Sequence, residues 1–139
     1  MSGVHSCFSR RALFVAGGAG LGAAALTACA GPGVPEVAGA AAGSRLVALG
    51  EVPVGGSYEL SVDGQRVVLS RPADDVVVAF DAACTHQGCA VRPAEGDRLA
   101  CPCHGSEFDP FTGEALAGPA TEPLAPVAVR VSGEDVVLG

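Results

Sequence analysis

The chain has 139 residues, enough for one domain and not two. Its basic residues are eight arginines with no lysine, against 15 acids; after Cys29, six arginines face all fifteen acids, a net charge of −9. That balance excludes nucleic acid, whose phosphates it would repel; it suits steering toward a basic redox partner, and it equally suits a solvated acidic surface that keeps the chain soluble.

Ser9-Arg10-Arg11-Ala12-Leu13-Phe14 opens the first recognisable element, and a charge-free stretch rich in Gly and Ala runs on from Leu13 to Ala28. A basic start, an apolar middle and a small-residue end make a signal peptide rather than part of a fold. Paired arginines at that place are a receptor-read export address. The twin-arginine route carries folded chains, so a prosthetic group can be inserted in the cytoplasm first. The stretch closes on Leu26-Thr27-Ala28-Cys29, which resembles a bacterial lipobox, with Cys29 lipidated as the new N-terminus. Two other outcomes are ordinary cleavage near residues 28–30 and retention as an anchor, for which about sixteen apolar residues interrupted by glycine are short. The expected organisation is an export signal over 1–28, a flexible Gly/Ala/Pro tether over 29–44 and a folded domain over 45–139. The expected location is the outer face of a bacterial cytoplasmic membrane, held there by the lipid.

From Arg45 on, the pattern is that of strands. Tyr58 to Val62 and Arg66 to Leu69 flank Asp63-Gly64, a strong two-residue hairpin signal. Val76 to Phe80 is a continuous apolar run after Asp74-Asp75 and predicts a buried strand. Val127 to Val131 and Asp135 to Leu138 flank Ser132-Gly133-Glu134, a second hairpin. Ten prolines and twenty glycines interrupt the chain too often for helices. The fold class is all-β, a small antiparallel sandwich or barrel.

Between the hairpins lie Cys84-Thr85-His86-Gln87-Gly88-Cys89 and Cys101-Pro102-Cys103-His104-Gly105-Ser106. Each offers a Cys-and-His pair and one further Cys. Two thiols and two imidazoles suit a Cys2His2 zinc site, but zinc leaves two matched cysteines and the export address unexplained. The double motif resembles that of the Rieske iron–sulfur family, over roughly residues 46–139 and most specifically over 84–124. The resemblance implies one 2Fe–2S cluster held between two loops, with Cys84 and Cys101 on one iron and His86 and His104 on the other. Neutral imidazoles in place of two thiolates raise the potential. It also implies a disulfide between Cys89 and Cys103, worth roughly 3 kcal/mol for a loop of about fifteen residues. Such a bridge suits an exported protein and the branch similar to cytochrome bc subunits, whereas dioxygenase ferredoxins generally lack it.

The resemblance extends to the surroundings. Ser106 is expected to give its hydroxyl proton to a bridging sulfide, raising the potential. Phe108 stands where high-potential members have a tyrosine that bonds a ligand sulfur. Gly118-Pro119-Ala120 with Pro123 resembles the rigid loop that covers the cluster, and Gly113 reads as a turn. The implied function is one-electron transfer by a lipid-anchored carrier whose partner is a redox protein or a quinol-oxidising complex. Two alternatives stand beside it: the Rieske subunit of a quinol–cytochrome c reductase, and the small subunit of an exported metalloenzyme. No residue pattern suggests a substrate site of its own.

Overall fold

A computed structural model describes residues 33–139; Arg10, Arg11, Cys29 and the export segment lie outside the described residues. Eleven strands are found among the described residues: β1 (Glu36–Val37), β2 (Arg45–Ala48), β3 (Ser57–Val62), β4 (Gln65–Ala73), β5 (Val76–Asp81), β6 (Arg92–Ala94), β7 (Arg98–Ala100), β8 (Glu107–Phe108), β9 (Ala115–Ala117), β10 (Val129–Ser132) and β11 (Asp135–Leu138). Among the described residues the one helical turn is a 3-10 turn at Leu49–Glu51. The strands form three sheets, in the orders β1-β3-β4-β5, β10-β11-β2 and β6-β7-β8-β9. This is the all-β class expected.

Both expected hairpins form. Val62 pairs with Gln65 across Asp63-Gly64, and Ser132 pairs with Asp135 across Gly133-Glu134. Asp63 and Gly64 both have positive φ, 49° and 82°, the geometry that matches the twist of the flanking strands. The run expected as the buried strand is only partly so. In β5, Ala79 and Phe80 are buried but Val76 is 48% exposed. Val76 stands at the tip beyond Asp74-Asp75, where no neighbouring element covers it. The strand buried on both faces is β4, whose Val67, Val68, Leu69 and Ser70 are all enclosed. Alternation along β4 sends Val67 and Leu69 into one core and Val68 into another.

Those two cores divide the labour. One lies between the first two sheets and gathers Leu46, Val47, Leu60, Val67, Leu69, Ala79 and Val136. The other carries Val68, Phe80, Val91, Leu99, Phe108 and Leu124, and Cys84 and Cys101 belong to it. The third sheet and its loops therefore stand as a subdomain whose floor is the body sheet. Gly113 joins them: its φ is +76°, and a Cβ there would lie 2.7 Å from the Phe80 ring, so it is a packing contact as well as a turn.

The stretch expected as tether differs most. From Pro35 onward it is fastened to the domain. β1 runs parallel to β3, with Glu36 opposite Ser61 and Val37 opposite Val62. The Asp63 carboxylate accepts the N–H of Gly39 (2.5 Å) and of Ala40 (3.2 Å), and Glu36 accepts that of Gly64 (2.9 Å). The cause is the open edge of β3, whose unpaired amides take any extended chain that passes.

Candidate metal centre

The two cysteine loops are built alike. In the first, the Cys84 N–H donates to the Cys89 carbonyl (2.8 Å) and the Gly88 N–H to the Cys84 carbonyl (2.7 Å). In the second, Cys101 N–H donates to Ser106 O (2.8 Å) and Gly105 N–H to Cys101 O (3.1 Å). Each loop therefore turns back on itself and presents the side chains after its first cysteine. The loops are joined by the Cys89–Cys103 disulfide, with Cα atoms 6.4 Å apart, as the resemblance implied.

Cys84 and Cys101 are the free cysteines among the described residues, and both are buried. The Cys101 sulfur lies within 4.8 Å of the disulfide sulfurs. Burial pushes the Cys84 thiol up, but the polar groups around it, the His86 and Gln87 backbone and the side chains of Cys101 and Ser106, pull the other way. The balance leaves it below its ordinary value, toward the thiolate that binds metal. The His86 and His104 rings meet edge to face with centroids 4.8 Å apart. His104 is exposed and His86 half-buried. His86 Nδ1 is enclosed with no hydrogen-bond partner. A buried polar atom so placed is costly unless something ligates it.

One further segment closes over this pair of loops and a ring supports them from beneath. Ser106 is fully buried, and its Oγ accepts the Ala120 N–H (3.1 Å). That bond draws residues 118–120 onto the second loop. Contact is so close that a Cβ on Gly118 would lie 2.5 Å from Ser106 Cα and 2.7 Å from the Gly105 carbonyl; its φ is +87°. Only glycine fits there. Ala120 is buried beneath, while Pro119 faces outward. Thr85 Oγ1 donates to the Glu122 carbonyl (2.7 Å), tying the first loop to the same cover. Phe108 sits at 0% exposure in the core that holds Cys84 and Cys101, a ring packed beneath the loops.

The model of the Rieske [2Fe-2S] domain matches residues 44–138. The chain belongs to that family. As a Rieske protein it transfers electrons through a single 2Fe–2S cluster. Similar relatives include the ferredoxin component of the naphthalene 1,2-dioxygenase system of Pseudomonas aeruginosa, 32% identical over 66% of this chain and 89% of that one. The cytochrome b6-f complex iron-sulfur subunit of Synechococcus sp. (strain WH7803) is 38% identical over 52% of this chain and 42% of its own. The Rieske domain thus spans less than half the length of that subunit. Among solved structures, the cyanobacterial plasma membrane Rieske protein PetC3 from Synechocystis PCC 6803 is 26% identical with a TM-score of 0.61, covering 69% of this chain and 98% of that one.

The residues present fit the cluster of a Rieske domain. Two buried thiols outside the disulfide and two facing imidazoles, one with an orphaned Nδ1, would offer it two sulfur and two nitrogen donors. Two residues that touch the first loop, Thr85 and Asp81, carry no signal in the sequence. The turn expected over Asp109-Pro110-Phe111-Thr112-Gly113 forms, with Asp109 accepting the N–H of Phe111 (2.8 Å) and Thr112 (2.9 Å).

Proposed function

We propose that the chain is a one-electron carrier on the outer face of the cytoplasmic membrane, in which Cys84 and Cys101 bind one iron and His86 and His104 the other. The observation that carries the reading is the buried, unpartnered Nδ1 of His86 beside the His104 ring and two free buried thiols. The cluster, when bound, supplies a site that takes and gives one electron. The chain's residues do the rest. His104 is exposed, so its ring is where a partner meets the site. Phe108 and Leu99, both at 0% exposure, exclude water from beneath the loops.

Arg10-Arg11 and Cys29 support twin-arginine export followed by lipid anchoring, and the Cys89–Cys103 disulfide suits an oxidising compartment. The partner is a redox protein or a quinol-oxidising complex. Identity to cytochrome b6-f iron-sulfur subunits supports a second reading, the Rieske subunit of a quinol–cytochrome c reductase. The small subunit of an exported metalloenzyme is the third. One fractionation experiment tests site and location together. Membranes from cells making the parent chain should hold the Rieske resonance. His104→Ala should abolish it, and Cys29→Ala should shift it out of the processed membrane-bound form. An unchanged distribution for Cys29→Ala, with a processed N-terminus, would remove the lipid from the account.

A further inference from the structure

The last residue of β5, Asp81, stands three positions before Cys84 and is not part of either cysteine motif. Its carboxylate makes two bonds at once. Oδ1 accepts the Ala83 N–H (2.9 Å), and Oδ2 accepts Nε2 of Gln65 (2.8 Å). Gln65 is the first residue of β4, so the carboxylate bridges the body sheet to the start of the first cysteine loop. The base of that loop is a short ladder. Val91 N–H donates to Ala82 O (2.7 Å), Ala83 bridges Ala90, and Cys84 N–H donates to Cys89 O (2.8 Å). The Ala83 amide is held by Asp81 instead of by that ladder.

Asp81 also faces a groove of about 300 Å³ on the flank of the first loop, lined with it by Gln65, Arg66, Ala83 and Gly88. Gly88 belongs to the opposite limb of the loop, so the carboxylate looks onto both limbs. The other charge in that groove is Arg66, whose Nη1 lies 2.8 Å from Glu59 Oε1 and is answered there. Asp81 therefore keeps a net negative charge beside the loop. At the matching place before Cys101 the residue is Arg98, paired with Glu107. The two loops are alike in backbone, but only the first carries an unanswered charge at its base.

We propose that Asp81 is a positioning residue of the cluster: it pins the entry of the first loop through Ala83, and its charge disfavours the reduced, more negative cluster. The inference rests on the ligand reading given above. Both effects have separate readouts. Amide exchange at Ala83, followed by mass spectrometry on the loaded protein, reports the pin; the midpoint potential reports the charge. Asp81→Asn keeps an acceptor and removes the charge. It should leave Ala83 protected and raise the reduced-to-oxidised ratio about threefold at the parent's midpoint, a shift of about 30 mV at about 59 mV per tenfold. That shift should shrink as ionic strength rises. Asp81→Ala should raise the midpoint similarly and also expose the Ala83 amide to exchange. An unchanged midpoint in Asp81→Asn would overturn the charge, and a protected Ala83 in Asp81→Ala would overturn the pin. A parent protein without the Rieske resonance would instead defeat the ligand reading, and the Ala83 exchange would still decide the pin.

Discussion

Ser106 has no exposure to solvent, and its hydroxyl oxygen accepts the Ala120 N–H, which leaves its own proton free for a cluster sulfur, the bridging sulfide that the resemblance implies. A donor to a sulfur that gains negative charge on reduction favours the reduced state. One charge-assisted hydrogen bond is worth about 1.5 kcal/mol or more, and about 59 mV corresponds to a tenfold change for one electron. Ser106→Ala should therefore lower the midpoint by roughly 60 mV in protein-film voltammetry. Phe108 lies fully buried in the same core as both free cysteines and has no donor. Phe108→Tyr should raise the midpoint; a value equal to or below the parent's would mean the new hydroxyl does not reach sulfur. The potential should thus fall within the family range of roughly −150 to +300 mV but below its top. Asp109 acts on stability instead. Burial pushes its carboxyl up, but the N–H groups of Phe111 and Thr112 and the Thr112 hydroxyl hold it below its ordinary value. A folded-state value under the unfolded one stabilises the fold above the unfolded pKa of about 3.9, and that stability is lost as pH falls through the folded value. Denaturant titrations across the acid range should show a shallower loss for Asp109→Asn than for the parent. An equally steep loss would place the acid sensitivity elsewhere.

Among the elements, the hairpins were legible because each rests on a local signal. Asp63-Gly64 and Gly133-Glu134 set their turns with two residues, and alternation set the strands. The third sheet was not legible. Its strands have two or three residues, too few for any period, and one of the cysteine loops interrupts it between β7 and β8. β1 was hidden for a different reason. Residues 30–44 have the composition of a linker, and what holds them from Pro35 on lies elsewhere in the chain: the edge of β3 and the carboxylates of Asp63 and Glu36. That attachment is slight, because the bonds are exposed and each is worth about 1 kcal/mol. Asp63→Ala should speed amide exchange over residues 35–44 while the β3–β4 pairing stays protected. Equal exchange in variant and parent would show that strand pairing alone holds the segment.

At the scale of the molecule, the described residues form a small β body that carries a metal-binding subdomain on one face of β4 and β5. The disulfide partners followed from the family resemblance, which the two motifs carry because each keeps its cysteines and histidine within six residues. What surrounds them could not be read that way. Gly118 meets Gly105 and Ser106, Thr85 meets Glu122 and Asp81 meets Gln65 only after distant segments fold together. The disulfide, at a sequence separation of 14, contributes roughly 3 kcal/mol by restricting the unfolded chain. It fastens the two loops that a cluster would also join, so covalent and metal constraints reinforce one another. A site that holds two irons shows itself in metal analysis of the purified protein, combined with electron paramagnetic resonance after dithionite reduction. About two irons per chain and a 2Fe–2S resonance of low average g are expected; one zinc and no iron would rule the cluster out.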